Sequence, residues 1–180
     1  MSTIKDLRLG VAIAGLSLLA ATAARADDTS NRVLIAELMD RYGVVHDFGT
    51  PEEYADLFTN DGEIAVGNGP PIVKGREALI AQARRDQERF GAAPAADGTR
   101  SSIMRHIITN RIVKRVGRND AEGSSYVITL INDKEAGPQI LSFSRYEDRY
   151  RKERGVWRIA HRAIITESGN AELGRKLGFR

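Results

Sequence analysis

The chain has 180 residues, with 27 Lys and Arg against 24 Asp and Glu, a net charge of +3 and no cysteine. Without cysteine, disulfides, thiol nucleophiles and Cys-metal centres are excluded, so the fold must stand on its core. The length suits one domain of ordinary size.

The N-terminus, "MSTIKDLRLGVAIAGLSLLAATAARA", sets Lys5 and Arg8 before an apolar run from Leu9 to Ala21 and closes on Ala24-Arg25-Ala26. Basic start, apolar centre and A-x-A site predict a secretory signal peptide over 1–26. The run is short for a membrane span of ~20 residues. The mature chain then begins at Asp27 and is periplasmic or secreted, with no membrane association after cleavage. Removing the signal leaves 24 basic against 23 acidic residues, so the pI of 9.3 overstates the basicity. Nucleic-acid binding needs basic charge concentrated on one face. "RYRKER" (Arg149 to Arg154) instead suits a charged strand end and turn, and no nucleic-acid partner is expected.

From Thr29 to Arg89 the pattern is mainly helical. Thr29 or Ser30 can cap a helix in which Leu34, Ile35, Leu38, Tyr42 and Val45 recur at spacings of three and four. Phe48-Gly49-Thr50-Pro51 ends it. Thr50 caps a short second helix with Pro51 and two glutamates in its first turn and Tyr54, Leu57 and Phe58 on its apolar side. "TNDG" reads as a turn, "EIAV" as a short strand and "GNGPP" as a loop. Lys74 to Phe90 returns to helix, with Leu79, Ile80, Ala83 and Phe90 as its apolar positions.

After the small-residue loop "GAAPAADGTRSS" come four strand-like runs: Ile103 to Val116, Ser125 to Asn132, Gln139 to Tyr150 and Val156 to Ile165. Their connections are rich in turn formers, which predicts an antiparallel meander. The fold class is α+β: three N-terminal helices packed on a strongly curved, mainly antiparallel sheet forming a conical pocket. The domain, a curled barrel-like sheet with its helices, spans 27–166. A tail over 167–180 is a short helix or disordered.

Within "MRHIITNRIVKR", His106 and Asn110 fall on the parity of Ile108 and Ile112 in a strand of period two. A histidine and an amide among isoleucines are either satisfied core polars or the lining of a pocket where a proton moves. The end of the first helix gathers Tyr42, His46 and Asp47. Asp47 either stabilises the helix-end turn or pairs with His106. A carboxylate on one nitrogen fixes the tautomer and stabilises the imidazolium that forms when the other takes a proton. No phosphate loop follows a strand, no serine lies in a nucleophile elbow, and three histidines without H-x-H or H-E-x-x-H spacing speak against a dedicated metal site.

Together "RYGVVHDFGTPEEYADLFTNDGEI", "KGREALI", "RHIITNRIV" and "SRYEDRYRKERGVWRIAHR" resemble the SnoaL-like branch of the nuclear transport factor 2 fold. That branch includes scytalone dehydratase, bile-acid 7α-dehydratase and hexachlorocyclohexane dehydrochlorinase. The resemblance implies a catalytic unit of an Asp at the end of the first helix and a His in the first long strand, here Asp47 and His106, with Tyr42 or a water assisting departure of a leaving group. It implies a cofactor-independent lyase of dehydratase type, or an isomerase, acting on a hydrophobic cyclic small molecule, with no metal. The fold also hosts non-catalytic small-molecule-binding and structural proteins, which is the alternative.

Two departures stand out. Phe143 occupies the position of a second pocket histidine of scytalone dehydratase, and His46 replaces the tyrosine preceding the Asp. In a regular helix Tyr42 and His46 share a face while Asp47 turns away, so uniting them requires the helix to loosen near Gly43 or at its end. His46, Asn110, Ile108, Phe143 and Trp157 are the candidate substrate contacts; His161 is a core or interface histidine. Arg145 and Asp148 should find cross-strand partners. "ILSFSRY" carries apolar residues on both faces, and a two-sided apolar sheet must be covered twice, which predicts a homodimer through the sheet.

Overall fold

The computed structural model describes residues 28–92, 101–133 and 135–178. The predicted signal peptide and the centre of the loop after Phe90 lie outside the described residues. The chain divides into two units after Leu34. In the first, residues 28–34 are helical, and Arg32 Nε donates to the Asp28 carboxylate at 2.8 Å. Residues 35–180 form the second unit.

The first helix, α1, covers 28–48. Ile35, Leu38, Met39 and Tyr42 are at most 5 % exposed, whereas Leu34, placed on the same stripe by spacing, is 46 % exposed. Each such burial contributes roughly 1.5–3 kcal/mol. Helix α2 spans Pro51–Ala55. Its capping box is complete: Thr50 Oγ1 accepts from Glu53 N at 3.1 Å, and Glu53 Oε2 accepts from Thr50 N at 2.7 Å. Strand β1 follows over Phe58–Val66, β2 over Pro71–Lys74 and α3 over Arg76–Phe90. The expected "TNDG" turn is absorbed into β1, where the pairing with the last long strand shifts register between Phe58 and Glu63. The polar run is accommodated as an irregular stretch of strand instead of a reversal of the chain.

A two-residue ribbon, β3 (Gly91–Ala92) with β4 (Ser101–Ser102), flanks the loop. Long strands β5 (Met104–Val116), β6 (Asp120–Asp133), β7 (Gly137–Glu153) and β8 (Val156–Gly169) then form the predicted antiparallel meander, the last three longer than their apolar patterns alone indicate. The sheet order is β2-β1-β8-β7-β6-β5, with only β1 and β8 parallel. It is a curled sheet of six strands with the helices packed on it, open between β2 and β5 and so not a closed barrel. The tail becomes α4 (Ala171–Lys176), capped by Asn170 Oδ1 accepting from Leu173 N.

Two glycines let α1 lie close on this sheet. A Cβ on Gly43 would stand 2.9 Å from the His106 carbonyl oxygen and 3.3 Å from Ile108 Cγ1. One on Gly123 would stand 2.6 Å from Met39 Cε and 2.9 Å from the Ile112 carbonyl. Both distances are too short for a real side chain, so glycine sets the approach of helix to sheet.

The largest fully buried side chain among the described residues is Arg162 on β8, 1 % exposed. Its Nε and Nη2 donate to the two Asp148 oxygens at 2.8 and 2.7 Å, and Tyr150 donates its hydroxyl to Asp148 at 2.6 Å. Asp148 and Arg162 are direct cross-strand neighbours. The guanidinium lies against the rings of both Tyr42 and Tyr146, at 3.8 and 4.1 Å from their centroids, the two rings standing at 81° to each other. A buried ion pair persists only with such geometry, since both charges lose their water.

Candidate active site

His106 enters the core side of β5 opposite Thr129 of β6, itself 8 % exposed. Above it runs the last turn of α1. With no Cβ at Gly43, β5 comes close enough for Asp47, one turn further along, to reach His106. Asp47 Oδ1 lies 2.7 Å from His106 Nδ1, and Oδ2 accepts from the His106 backbone N–H at 2.9 Å. One carboxylate therefore holds one residue by both ring and backbone. Nδ1 carries the proton, and Nε2 has no hydrogen-bond partner among the described residues.

The helix does not loosen. It remains regular through residue 48. Tyr42 and His46 form one row of α1 and Gly43 and Asp47 the adjacent row, and both rows face the sheet. The Tyr42 ring centroid lies 6.4 Å from that of His106, and its hydroxyl lies 3.3 Å from the Tyr54 hydroxyl. His46, at the helix end, is largely covered: its ring centroid is 4.3 Å from His106, its Nε2 3.4 Å from Asp86 Oδ2 and its Nδ1 3.8 Å from Asp47 Oδ1.

The protonation pattern follows from these contacts. Burial opposes ionisation of Asp47, but the hydrogen bonds from His106 and the nearby His46 ring outweigh it and hold the carboxyl at about 2. Burial would also lower His46; Tyr42, Asp47 and Asp86 overcome that and raise it to about 10. His106 is lowered by burial and then by the charge on His46, against the opposing pull of Asp47. Burial raises Asp86, yet its pairing with His46 lowers it overall. At neutral pH the cluster thus holds two carboxylates, an imidazolium at His46 and a neutral imidazole at His106.

His46, Asp47 and His106 each bring one donor atom within 4.8 Å of the others, so a divalent cation is the one inorganic group this cluster could hold. The bonding favours a proton. Asp47 Oδ1 and His106 Nδ1 are at hydrogen-bond distance, and the second carboxylate oxygen is occupied by a backbone N–H.

Other expected contacts are redistributed. Asn110 sits at a bulge with φ of 50° and is exposed, bonded to the Thr109 hydroxyl. The register shift between Thr109 and Ile112 reverses the alternation, so Ile108 stays on the core side and Ile112 is 57 % exposed. Phe143 is paired with Ile128, itself opposite Ile107, which places all three on the outer face; there Phe143 packs on Tyr126 at 5.6 Å. Neither Asn110 nor Phe143 shares the face of His106. Trp157 is buried in the main core with Lys152 over its ring, but the strand row through His106 crosses β8 at its far end, near Gly169. Trp157 is therefore core and not a neighbour of the dyad. His161 faces Glu63 across β1 at 3.4 Å. Sequence reading missed Asp86 and Arg162. Asp86 carried a signal, because Leu79, Ala83, Asp86 and Phe90 make one helical stripe in which a carboxylate replaces an apolar residue.

Residues 27–163 match the SnoaL-like domain family, and the chain belongs to it. Solved structures share the fold. An NTF2-like protein with a cystatin-like fold from Novosphingobium aromaticivorans is 26% identical, with 90% of this chain and 97% of that one covered at a TM-score of 0.68. A point variant of Rv3472, a Mycobacterium tuberculosis protein of unknown function, is 26% identical over 82% of this chain and 78% of its own, at 0.66. A candidate scytalone dehydratase from N. aromaticivorans, 23% identical over 79% and 88%, aligns at 0.63 and speaks for the fold alone. No curated protein matches the chain.

Proposed function

We propose that the chain is a cofactor-independent lyase of dehydratase type, or an isomerase, that removes a carbon-bound proton from a hydrophobic cyclic small molecule. A SnoaL-like domain on this fold suits isomerase or dehydratase chemistry, or ligand binding. The observation that carries the catalytic reading is the His106–Asp47 geometry: an imidazole 9 % exposed, anchored through Nδ1 at 2.7 Å, with Nε2 unpartnered among the described residues. Nε2 takes a proton from a carbon next to an electron-withdrawing group, and Asp47 stabilises the resulting imidazolium. The C–H electron pair becomes the new double bond as the carbon–oxygen bond breaks. The departing hydroxide takes a proton from Tyr42 or from water, and the proton held on His106 then makes that loss good, so that water is released and the base is restored. In an isomerisation, His106 returns the proton to another carbon.

The test is turnover of a panel of cyclic β-hydroxy ketones, followed by enone absorbance, for the wild type, His106→Ala and Asp47→Asn. Turnover by the wild type alone supports the dyad; equal turnover by either variant removes it. Binding of panel members with no turnover by any form would favour a carrier.

The outer sheet face supports a homodimer: Ile107, Tyr126 and Ile140 are 45 %, 39 % and 58 % exposed there, beside Phe143. A monomer in sedimentation at micromolar concentration would contradict it. Export with cleavage before Asp27 is read by N-terminal sequencing of the protein from the periplasm or medium; an intact Met1 start would contradict it.

A further inference from the structure

The dyad leaves a second imidazole without a task. The His46 side chain is 11 % exposed, close to the 9 % of His106. Every element packed against it contributes a polar or charged group. From α1 come Tyr42, with ring centroids 5.7 Å apart, and Asp47; from α2 comes Tyr54 at 5.3 Å; from α3, Asp86; from β5, His106. Only the two aspartates bring formal negative charge, and they stand off opposite nitrogens of the ring. A neutral imidazole would aim a lone pair at one of them, whereas an imidazolium aims an N–H at each. Asp86 is itself fixed, since Gln82 Nε2 donates to both of its oxygens at 3.0 and 2.9 Å.

We infer that His46 and Asp86 form a second imidazolium–carboxylate pair that holds a standing positive charge beside His106, with Asp86 as the positioning residue, and that this charge keeps the base unprotonated between turnovers. The inference rests on His106 being the base and adds what tunes it. Two rings with centroids 4.3 Å apart cannot both be charged without mutual repulsion in a buried site. His106 therefore meets its substrate with Nε2 free, even in mildly acidic solution. Once it has taken a proton, it lies next to a like charge and gives that proton up readily, to solvent or to a second carbon of the substrate. The directions of both histidine shifts agree with this arrangement.

The experiment is a pH titration of 15N-histidine-labelled protein by NMR, without substrate, on the wild type, His46→Gln and Asp86→Asn. With three histidines in the chain, single variants assign the signals. In the wild type, His46 should remain doubly protonated at pH 8 while His106 titrates below 6.5. In His46→Gln, the His106 midpoint should rise by about one pH unit or more, and the acid limb of kcat/KM should move up with it. In Asp86→Asn, His46 should lose its proton at a distinctly lower pH. A wild-type His46 midpoint at or below 7 would overturn the inference, as would an unmoved His106 midpoint in a folded His46→Gln protein. If His46→Gln does not fold, the wild-type and Asp86→Asn titrations decide. Because the readout is the charge on the rings, it stands apart from whether any substrate is turned over.

Discussion

Replacing Asp47 by Asn tests the dyad with almost no change in shape. The wild-type carboxylate accepts two hydrogen bonds from His106, from Nδ1 at 2.7 Å and from the backbone N–H at 2.9 Å. An amide has only one accepting end. The backbone N–H can only donate, so it captures the Asn oxygen and turns the NH2 toward Nδ1. Nδ1 must then offer a lone pair, the ring proton moves to Nε2, and the working nitrogen is blocked. The opposite orientation sets NH2 against N–H and leaves a buried donor unsatisfied, at about 1–3 kcal/mol. Even in that orientation the imidazolium formed on proton transfer lacks its charged partner, a charge-assisted bond of about 1.5–3 kcal/mol. Together these raise the barrier by about 3–6 kcal/mol, or roughly 10²- to 10⁴-fold in kcat/KM. The loss should fall on kcat more than on KM, because the interaction strengthens as the proton moves. Steady-state kinetics with a substrate deuterated at the reacting carbon give the readout, with proton transfer fully rate-limiting in the variant. A loss under about threefold, well below one decade of rate, would refute the argument.

Two further predictions concern stability. Arg162→Met leaves Asp148, 4 % exposed, with the Tyr150 hydroxyl as its one remaining side-chain partner. Urea denaturation should show a loss of about 3–5 kcal/mol, much of it recovered by adding Asp148→Leu; a loss below about 1 kcal/mol, as for an exposed pair, would contradict the buried-pair description. The charge cluster also makes stability depend on pH. The Asp47 carboxyl is lowered from 3.8 to about 2, so its contribution of roughly 2 kcal/mol is complete above 3.8 and lost as pH falls toward 2. His46 is raised from 6.5 to about 10, so its contribution is complete below 6.5 and lost as pH rises to about 10. The stability gap between wild type and His46→Gln should therefore shrink steadily from pH 6.5 to 10, and a gap independent of pH would contradict an imidazolium there.

What could be read from the sequence was governed by local rules. Thr50 caps the second helix as its position indicated, and the apolar runs after Ile103 became the meander, because hydrogen bonding and burial within a few residues decide both. The Asp47–His106 contact depended on the end of one helix meeting the middle of one strand, and Gly43 is what lets them touch. The failures trace to register. One extra residue near Asn110 turns Ile112 over, until a second shift between Val113 and Arg115 restores the parity, and no rule of alternation reveals such bulges. Phe143 was placed by analogy with a relative, while its cross-strand pairing with Ile128 puts it on the other face. The Arg162–Asp148 pair was half legible: Asp148 needed a cross-strand partner, but only the strand register names Arg162. His46 ends a helix, where side chains are usually solvated; Tyr54 of α2 and Asp86 of α3 cover it, and that is tertiary information.

The most direct measurement is exchange of the substrate's carbon-bound hydrogen with solvent. In D2O, with a cyclic ketone that can ionise but has no leaving group, proton NMR follows the loss of the signal at the reacting carbon. The wild type should wash deuterium into that carbon, and a folded His106→Ala protein should do so no faster than buffer. Exchange by His106→Ala at the wild-type rate would mean that another group removes the proton.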